Sequence, residues 1–422
     1  MKRWSSLPAI CLVSIATSAL AQIPSAPPPE PPTDWIDPAT GHRIVRLSKE
    51  PGSASLYFHQ NAYTPDGNKL IISTPGGLSS VNLKTHEIEP VVPNLRYGMG
   101  SSSGIEVGRK TPTVYYQRVE NGATTLYGTD INSKETRAIA RVALPGADLG
   151  GVNADETLIV GKGRTSVSDP QVTPTGARRG GGGGMLQFFI ANIKSGEVKT
   201  FFPMSENLNH HQSSPTDPNL ILYCHEGNWH EVDRIWTIHT DGTGNKLMHL
   251  RTMEYEIAGH EFFSHDGNWV YYDLQTPRSA VFWLAGVNVY SGERIRYLIE
   301  RQNWSVHFNE SWDGKLFAGD GGGPNSVANR TPLPEGATLN PPQNGQWIFL
   351  FTPQNVPTES IQVNKEEVKI GKLKVERLVD LSKHNYQLEP NLTFTPDNKW
   401  IVFRSNLHGA MHVYAVEVAK AK

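Results

Sequence analysis

A formal charge of −2 on 422 residues gives no basic surface of the kind that holds nucleic acid or an anionic membrane, which argues against both partners. Gly at 39 positions, Pro at 30 and charged residues at only 19% suit a turn-rich, all-β chain. The length alone would fit two or three domains, but a repeat array escapes that rule.

The first element reads as an export signal. Met1-Lys2-Arg3 carries positive charge, residues 7–20 form a short apolar core, and Ala19-Leu20-Ala21 is a small-x-small cleavage site before Gln22. The core is too short to span a bilayer comfortably. Residues 1–21 are therefore expected to be a signal peptide, and the protein periplasmic or secreted, without membrane insertion. Cys11 lacks a small residue just before it, against a lipid-modified cysteine, and it leaves with the signal. Cys224 then stands alone, and an intramolecular disulfide is ruled out. Residues 22–38, Pro-rich at 24–32, are expected to be an extended tether, and residues 39–422 the folded domain.

A repeated turn organises that domain. It reads Thr64-Pro65-Asp66-Gly67, Ser214-Pro215-Thr216-Asp217, Ser264-His265-Asp266-Gly267, Ser311-Trp312-Asp313-Gly314 and Thr395-Pro396-Asp397-Asn398. Each copy has an Asp that can bond its own backbone, and most add Pro, Gly or Asn. Short runs rich in aromatic and β-branched residues follow, at 70–72, 220–223, 269–272, 316–318 and 400–403, and these are strands.

Asp217, Asp266 and Asp313 succeed one another at 49 and 47 residues, close to the period of a four-stranded propeller blade. The 89 residues from Asp66 to Asp155 leave room for one degenerate blade. The 62 from Asp155 to Asp217 hold one blade plus an insertion at 176–185. The 84 from Asp313 to Asp397 hold one blade if 325–346 is a loop. The count predicts a seven-bladed β-propeller, with residues 42–47 as an outer strand that closes the ring. Arg178-Arg179 before Gly180–Gly184 lacks the Lys-Ser/Thr of a phosphate-binding loop and reads as a surface insertion, and 331–344 reads as a loop.

One position recurs four residues before each turn. It holds His210, His260 and His307, with Gln60 and Asn391 in the first and last copies, His59 beside the first and Glu389 two residues before the last. If the blades pack radially, these slots converge on one axis and assemble a polar site from distant sequence.

Several strings across the chain resemble the oligogalacturonate lyase family. They are Gly41-His42-Arg43-Ile44-Val45-Arg46-Leu47-Ser48, the Ser-Pro-Thr-Asp turn, His225-Glu226-Gly227, Gly259-His260-Glu261-Phe262 and Gly319-Asp320-Gly321. The resemblance runs from about residue 40 to the last blade, and it is specific as a set rather than string by string. It implies β-elimination on short uronate oligomers assisted by a divalent metal, typically Mn²⁺. By that resemblance His210 is the base and His260 a metal ligand. The two last-blade ligand histidines fall on Glu389 and Asn391, the family's ligand glutamine on Tyr386 and its assisting arginine on Gln187. Glu and Asn are oxygen donors suited to hard cations.

The remaining candidates each carry two readings. His59, Gln60, His225 and His307 either contact substrate or serve the packing. Arg234 either clamps a uronate carboxylate or pairs with Asp233 or Glu231. Glu261, beside His260, is expected on the opposite face of its strand, orienting a backbone group. Three functions remain open: an oligogalacturonate lyase, a carbohydrate-active enzyme on another uronic-acid glycan, and a non-catalytic periplasmic propeller that binds protein or glycan.

Overall fold

The structure, a computed structural model, describes residues 30–95, 104–165, 185–204, 207–323, 346–354 and 358–421. The signal peptide, Cys11, Arg178, Arg179 and the expected loop at 331–344 lie outside the described residues. Within them, apart from a three-residue 3₁₀ turn at Arg301–Asn303, the regular elements are strands. No helix among the described residues is long and apolar enough to cross a membrane.

Among the described residues the strands order into seven four-stranded antiparallel units, here called blades one to seven. The first six are laid down in chain order from the inner strand outward, and the seventh takes its outer strand from the N-terminal part of the chain. The inner strands are Ala54–Ser55, Ile105–Val107, Asp148–Val152, Asn207–Ser213, Ile257–Phe263, Phe308–Glu310 and Thr393–Phe394. Blade two, Ile105–Val142, is the degenerate repeat inferred from spacing alone, and one blade fills the interval between Asp313 and Asp397. His42–Arg46 pairs with His412–Lys420 and makes the N-terminus the outer strand of blade seven, as expected.

The continuous apolar runs follow from burial of both strand faces. In blade four, Leu220 and Leu222 pack into a cluster shared with blade five, while Ile221 and Tyr223 join one shared with blade three. In blade seven, Ile401 and Phe403 face blade six and Val402 faces blade one. Alternation thus sends successive side chains into the two flanking interfaces, and the core is a ring of inter-blade clusters.

The repeated turns lock by one device. Thr64 Oγ1 donates to Asp66 Oδ1 at 2.5 Å, and Ser264 to Asp266, Ser311 to Asp313 and Thr395 to Asp397 do the same at 2.5–2.8 Å. The same hydroxyl accepts the backbone N–H that opens the next strand, as from Trp269 and Trp400. In the Ser-Pro-Thr-Asp copy the Ser214 hydroxyl instead accepts from the Asp217 N–H at 3.1 Å.

Two boundaries differ from the sequence reading. The tether does not reach residue 38, because Asp34–Ile36 pairs with His42–Arg46 as a fifth strand of blade seven. Trp35 sets its edge against Tyr414 at 5.8 Å and Arg43 bonds Asp34 at 2.5 Å, so this segment has apolar surface and charge to place. Blades five and six are also one continuous sheet. The 15-residue strand Glu366–Asp380 pairs parallel with Arg294–Ile299 before serving as the outer strand of blade six.

Candidate active site

The recurring slot is a backbone feature as well as a sequence one. His210, His260 and Asn391 have φ of +48°, +51° and +52°, the left-handed region that costs an L-residue about 1–2 kcal/mol and that His and Asn enter more readily than most. In blades four and five the pairing register slips there, between Asn209 and Gln212 and between Gly259 and Phe262. These are β-bulges, which re-aim a side chain next to a site.

The re-aimed rings meet. His59 and His210 have centroids 6.1 Å apart, His210 and His260 6.4 Å, and His260 and His307 4.7 Å. Tyr57 stands among them, its ring 5.0 Å from His59, 5.7 Å from His210 and 5.4 Å from His307. Its hydroxyl lies 3.4 Å from His307 Nε2. Sequence reasoning missed Tyr57; the only signal was its place three residues before the slot residue Gln60.

Burial keeps most of these imidazoles neutral. It holds His210 and His260 well below the ordinary imidazole value, helped by their cationic neighbours, and pulls His59 down to about 3. His307 goes the other way: burial disfavours its charge, but Asp320, bonded to Nδ1 at 2.8 Å, and Glu389 at 3.8 Å raise its pKa overall. His59 Nε2, His210 Nδ1 and His260 Nδ1 are buried with no hydrogen-bond partner among the described residues. Buried polar atoms are ordinarily hydrogen-bonded, so three such nitrogens gathered together mark this as a candidate binding site.

Glu261 corrects the expectation of an opposite-face residue. The bulge breaks the alternation, and its carboxyl, wholly buried, stands 4.0 Å from His210 Nδ1 with burial raising its pKa to about 7. The backbone carbonyl of Glu261 accepts from Gln212 Nε2 at 2.8 Å.

Three substrate-binding candidates are drawn elsewhere. Gln60 accepts the Tyr57 N–H at 3.1 Å and shapes the turn that presents Tyr57. His225 stacks on Trp236 with centroids 4.8 Å apart. Arg234 spends its guanidinium on Glu226, at 3.1 Å from each terminal nitrogen, and lies 4.0 Å over Trp229. Its partner is neither Asp233 nor Glu231, because Asp233 pairs with Arg251 and Glu231 with His230. Trp229 in turn reaches His260 at 5.3 Å, an approach that Gly259 permits, since a Cβ there would lie 2.2 Å from the indole.

The family-implied metal positions fit a divalent cation in part. His260 offers an unpartnered buried nitrogen, and Glu389, 41% exposed, turns a carboxylate oxygen toward His307 at 3.8 Å. Asn391 is committed to the backbone: its amide donates to the Glu389 carbonyl at 3.2 Å and accepts from the Phe58 N–H at 3.4 Å. Tyr386 donates to the Asp320 carbonyl at 2.9 Å. No group of three His, Cys, Asp or Glu among the described residues is already gathered as a ligand set.

The family model described as oligogalacturonate lyase matches residues 185–422. The oligogalacturonate lyase of Dickeya dadantii (strain 3937) is 26% identical over 405 residues, covering 91% of this chain and 95% of the relative. The oligogalacturonide lyase of Pectobacterium atrosepticum is 25% identical with the same coverage. Among solved structures, an oligogalacturonate lyase in complex with manganese superposes with a TM-score of 0.69 at 21% identity, covering 92% of this chain and 96% of that one. An oligogalacturonate lyase from Vibrio parahaemolyticus gives 0.68 at 19% identity, again with 92% and 96% coverage.

Proposed function

Because the chain belongs to the oligogalacturonate lyase family, we propose that it cleaves short galacturonate oligomers by β-elimination, with His210 as the base. The observation that carries this reading is the convergence of His59, His210 and His307 on Tyr57, with His260 against both His210 and His307, and with burial holding the His210 pKa well below the ordinary imidazole value.

Elimination requires removal of the C5 proton and expulsion of the oxygen at C4. A neutral imidazole has the lone pair for the first step. With Nδ1 turned to Glu261 at 4.0 Å, Nε2 is the nitrogen that meets the substrate. The proton passes from C5 to Nε2, the C5 electron pair becomes the C4–C5 double bond, and the C4–O4 bond breaks as its oxygen takes up a proton from water. Glu261 opposes the charge that grows on the ring. His59 and His307 line the sugar-binding face beside the base. A divalent cation such as Mn²⁺, when bound, would draw charge from the uronate carboxylate and acidify the C5 proton, and His260 and Glu389 are the residues that would hold it. The export signal read in residues 1–21 supports a periplasmic or secreted place of action on pectin fragments.

The altered residues Tyr386, Glu389 and Asn391 favour, as a second reading, a lyase for another uronic-acid glycan. Incubation with di- and trigalacturonate, with and without Mn²⁺, while following the absorbance of the unsaturated product, tests the first reading. Growth on these substrates establishes it. Growth only on a different uronate oligomer supports the second, and no growth on any leaves a binding propeller.

A further inference from the structure

The proposed reaction needs a cation on the uronate carboxylate, and Arg234, the sequence candidate, is spent on Glu226. Another cation lies beside the base. Lys162, in the second strand of blade three, reaches across to the inner strand of blade four. There its ammonium donates to the Leu208 carbonyl at 2.7 Å and to Asn209 Oδ1 at 3.2 Å, the two residues that precede His210.

The ammonium thus has two acceptors for its three protons and pairs with no carboxylate within 4.0 Å among the described residues. Asp148 and Glu226 act on it only at longer range, and burial pulls its pKa down. The residue as a whole is only partly buried, and one of its three ammonium protons has no acceptor among the described residues. A cation left without a counter-charge in so desolvated a place is costly unless a ligand supplies one. Asn209 also donates to Glu226 at 3.3 Å, so Lys162, Asn209, Glu226 and Arg234 form one braced rim beside the histidines.

We propose that Lys162 is the residue that binds the carboxylate of the uronate whose C5 proton His210 removes. The inference rests on the lyase reading above. It makes Lys162 a substrate-specifying residue: anionic uronates are held at the base, and their uncharged counterparts are not.

The test compares wild type, Lys162→Gln and Lys162→Arg. Turnover of digalacturonate gives KM and kcat, and calorimetric binding of digalacturonate in a His210→Ala background gives Kd over a range of salt concentrations. Lys162→Gln is expected to raise Kd and KM by about tenfold or more, the worth of a charged hydrogen bond, and to flatten the salt dependence of Kd. Lys162→Arg is expected to restore most of the affinity. The salt dependence separates a carboxylate contact from a brace between blades three and four, since a brace alone leaves the slope unchanged. If wild type cleaves or binds digalacturonate and Lys162→Gln keeps the wild-type Kd and salt slope, the lysine assignment is overturned while the lyase reading stands. If wild type neither binds nor cleaves any galacturonate oligomer, the lyase reading falls and takes this assignment with it.

Discussion

His307 donates from Nδ1 to Asp320 Oδ2 across 2.8 Å, and the other oxygen of the same carboxylate receives the His307 backbone N–H at 2.8 Å. Both side chains are fully buried. Because a carboxylate only accepts, the proton on Nδ1 is fixed and Nε2 is left facing Tyr57 and Glu389.

Asp320→Asn breaks that arrangement. It faces an amide N–H toward donors, so activity is expected to fall roughly 10–100-fold, as when the carboxylate that orients a site histidine is lost. Stability is expected to fall by about 1–3 kcal/mol. The pH dependence has a definite sign. His307 is raised above its ordinary 6.5, so its stabilisation is complete below that value and disappears as pH rises through the raised one. Urea midpoints at acid and alkaline pH should therefore show the larger deficit on the acid side.

His210 can be probed without disturbing its backbone. His210→Asn suits φ of +48° and is expected to keep the wild-type melting temperature while lowering kcat by about 10²–10⁴-fold. His210→Ala should be equally inactive and about 1 kcal/mol less stable, since alanine enters this region less readily. Turnover near wild type in either variant removes His210 as the base.

Glu310, on the inner strand of blade six, is raised to about 8 by burial. A carboxyl raised in the folded state adds stability that is complete below its unfolded value, near 4.5, and gone once pH has climbed through 8. Glu310→Gln is expected to flatten the decline of stability between pH 5 and pH 8, read from denaturant midpoints. A parallel decline in wild type and variant would contradict it.

Trp304 is wholly buried and donates through Nε1 to Asp273 Oδ1 at 2.7 Å, while burial pushes that carboxyl up to about 7. Trp304→Phe keeps an aromatic ring but strands the acceptor, for an expected loss of about 1–3 kcal/mol. The loss should appear in the denaturant midpoint with little change in the slope of the transition.

The architecture was readable because its chemistry is local. A Ser or Thr bonding an Asp two residues on repeats in blades one, five, six and seven, and even degenerate blade two announced itself as a gap of the right length. His210, His260 and His307 were visible for the same reason, being tied to those turns by a fixed count. Residues whose roles depend on partners far along the chain were not. Glu261 was misplaced because strand alternation was assumed through a bulge that no local residue pattern announces. Arg234 was given its sequence neighbours as partners, whereas the hairpin between the second and third strands of blade four delivers Glu226. Tyr57 belongs to no repeat, and Lys162 acts across a blade boundary.

The shared left-handed backbone at His210, His260 and Asn391 gives the ring a set of interchangeable sockets. Each socket fixes where a side chain enters the axis before that side chain's identity matters, and histidine and asparagine seat in it about equally well. A propeller built this way can trade an imidazole for an amide at one blade and leave its neighbours' geometry untouched. Substrate range can then drift by single exchanges, with the scaffold indifferent to which donor each blade presents.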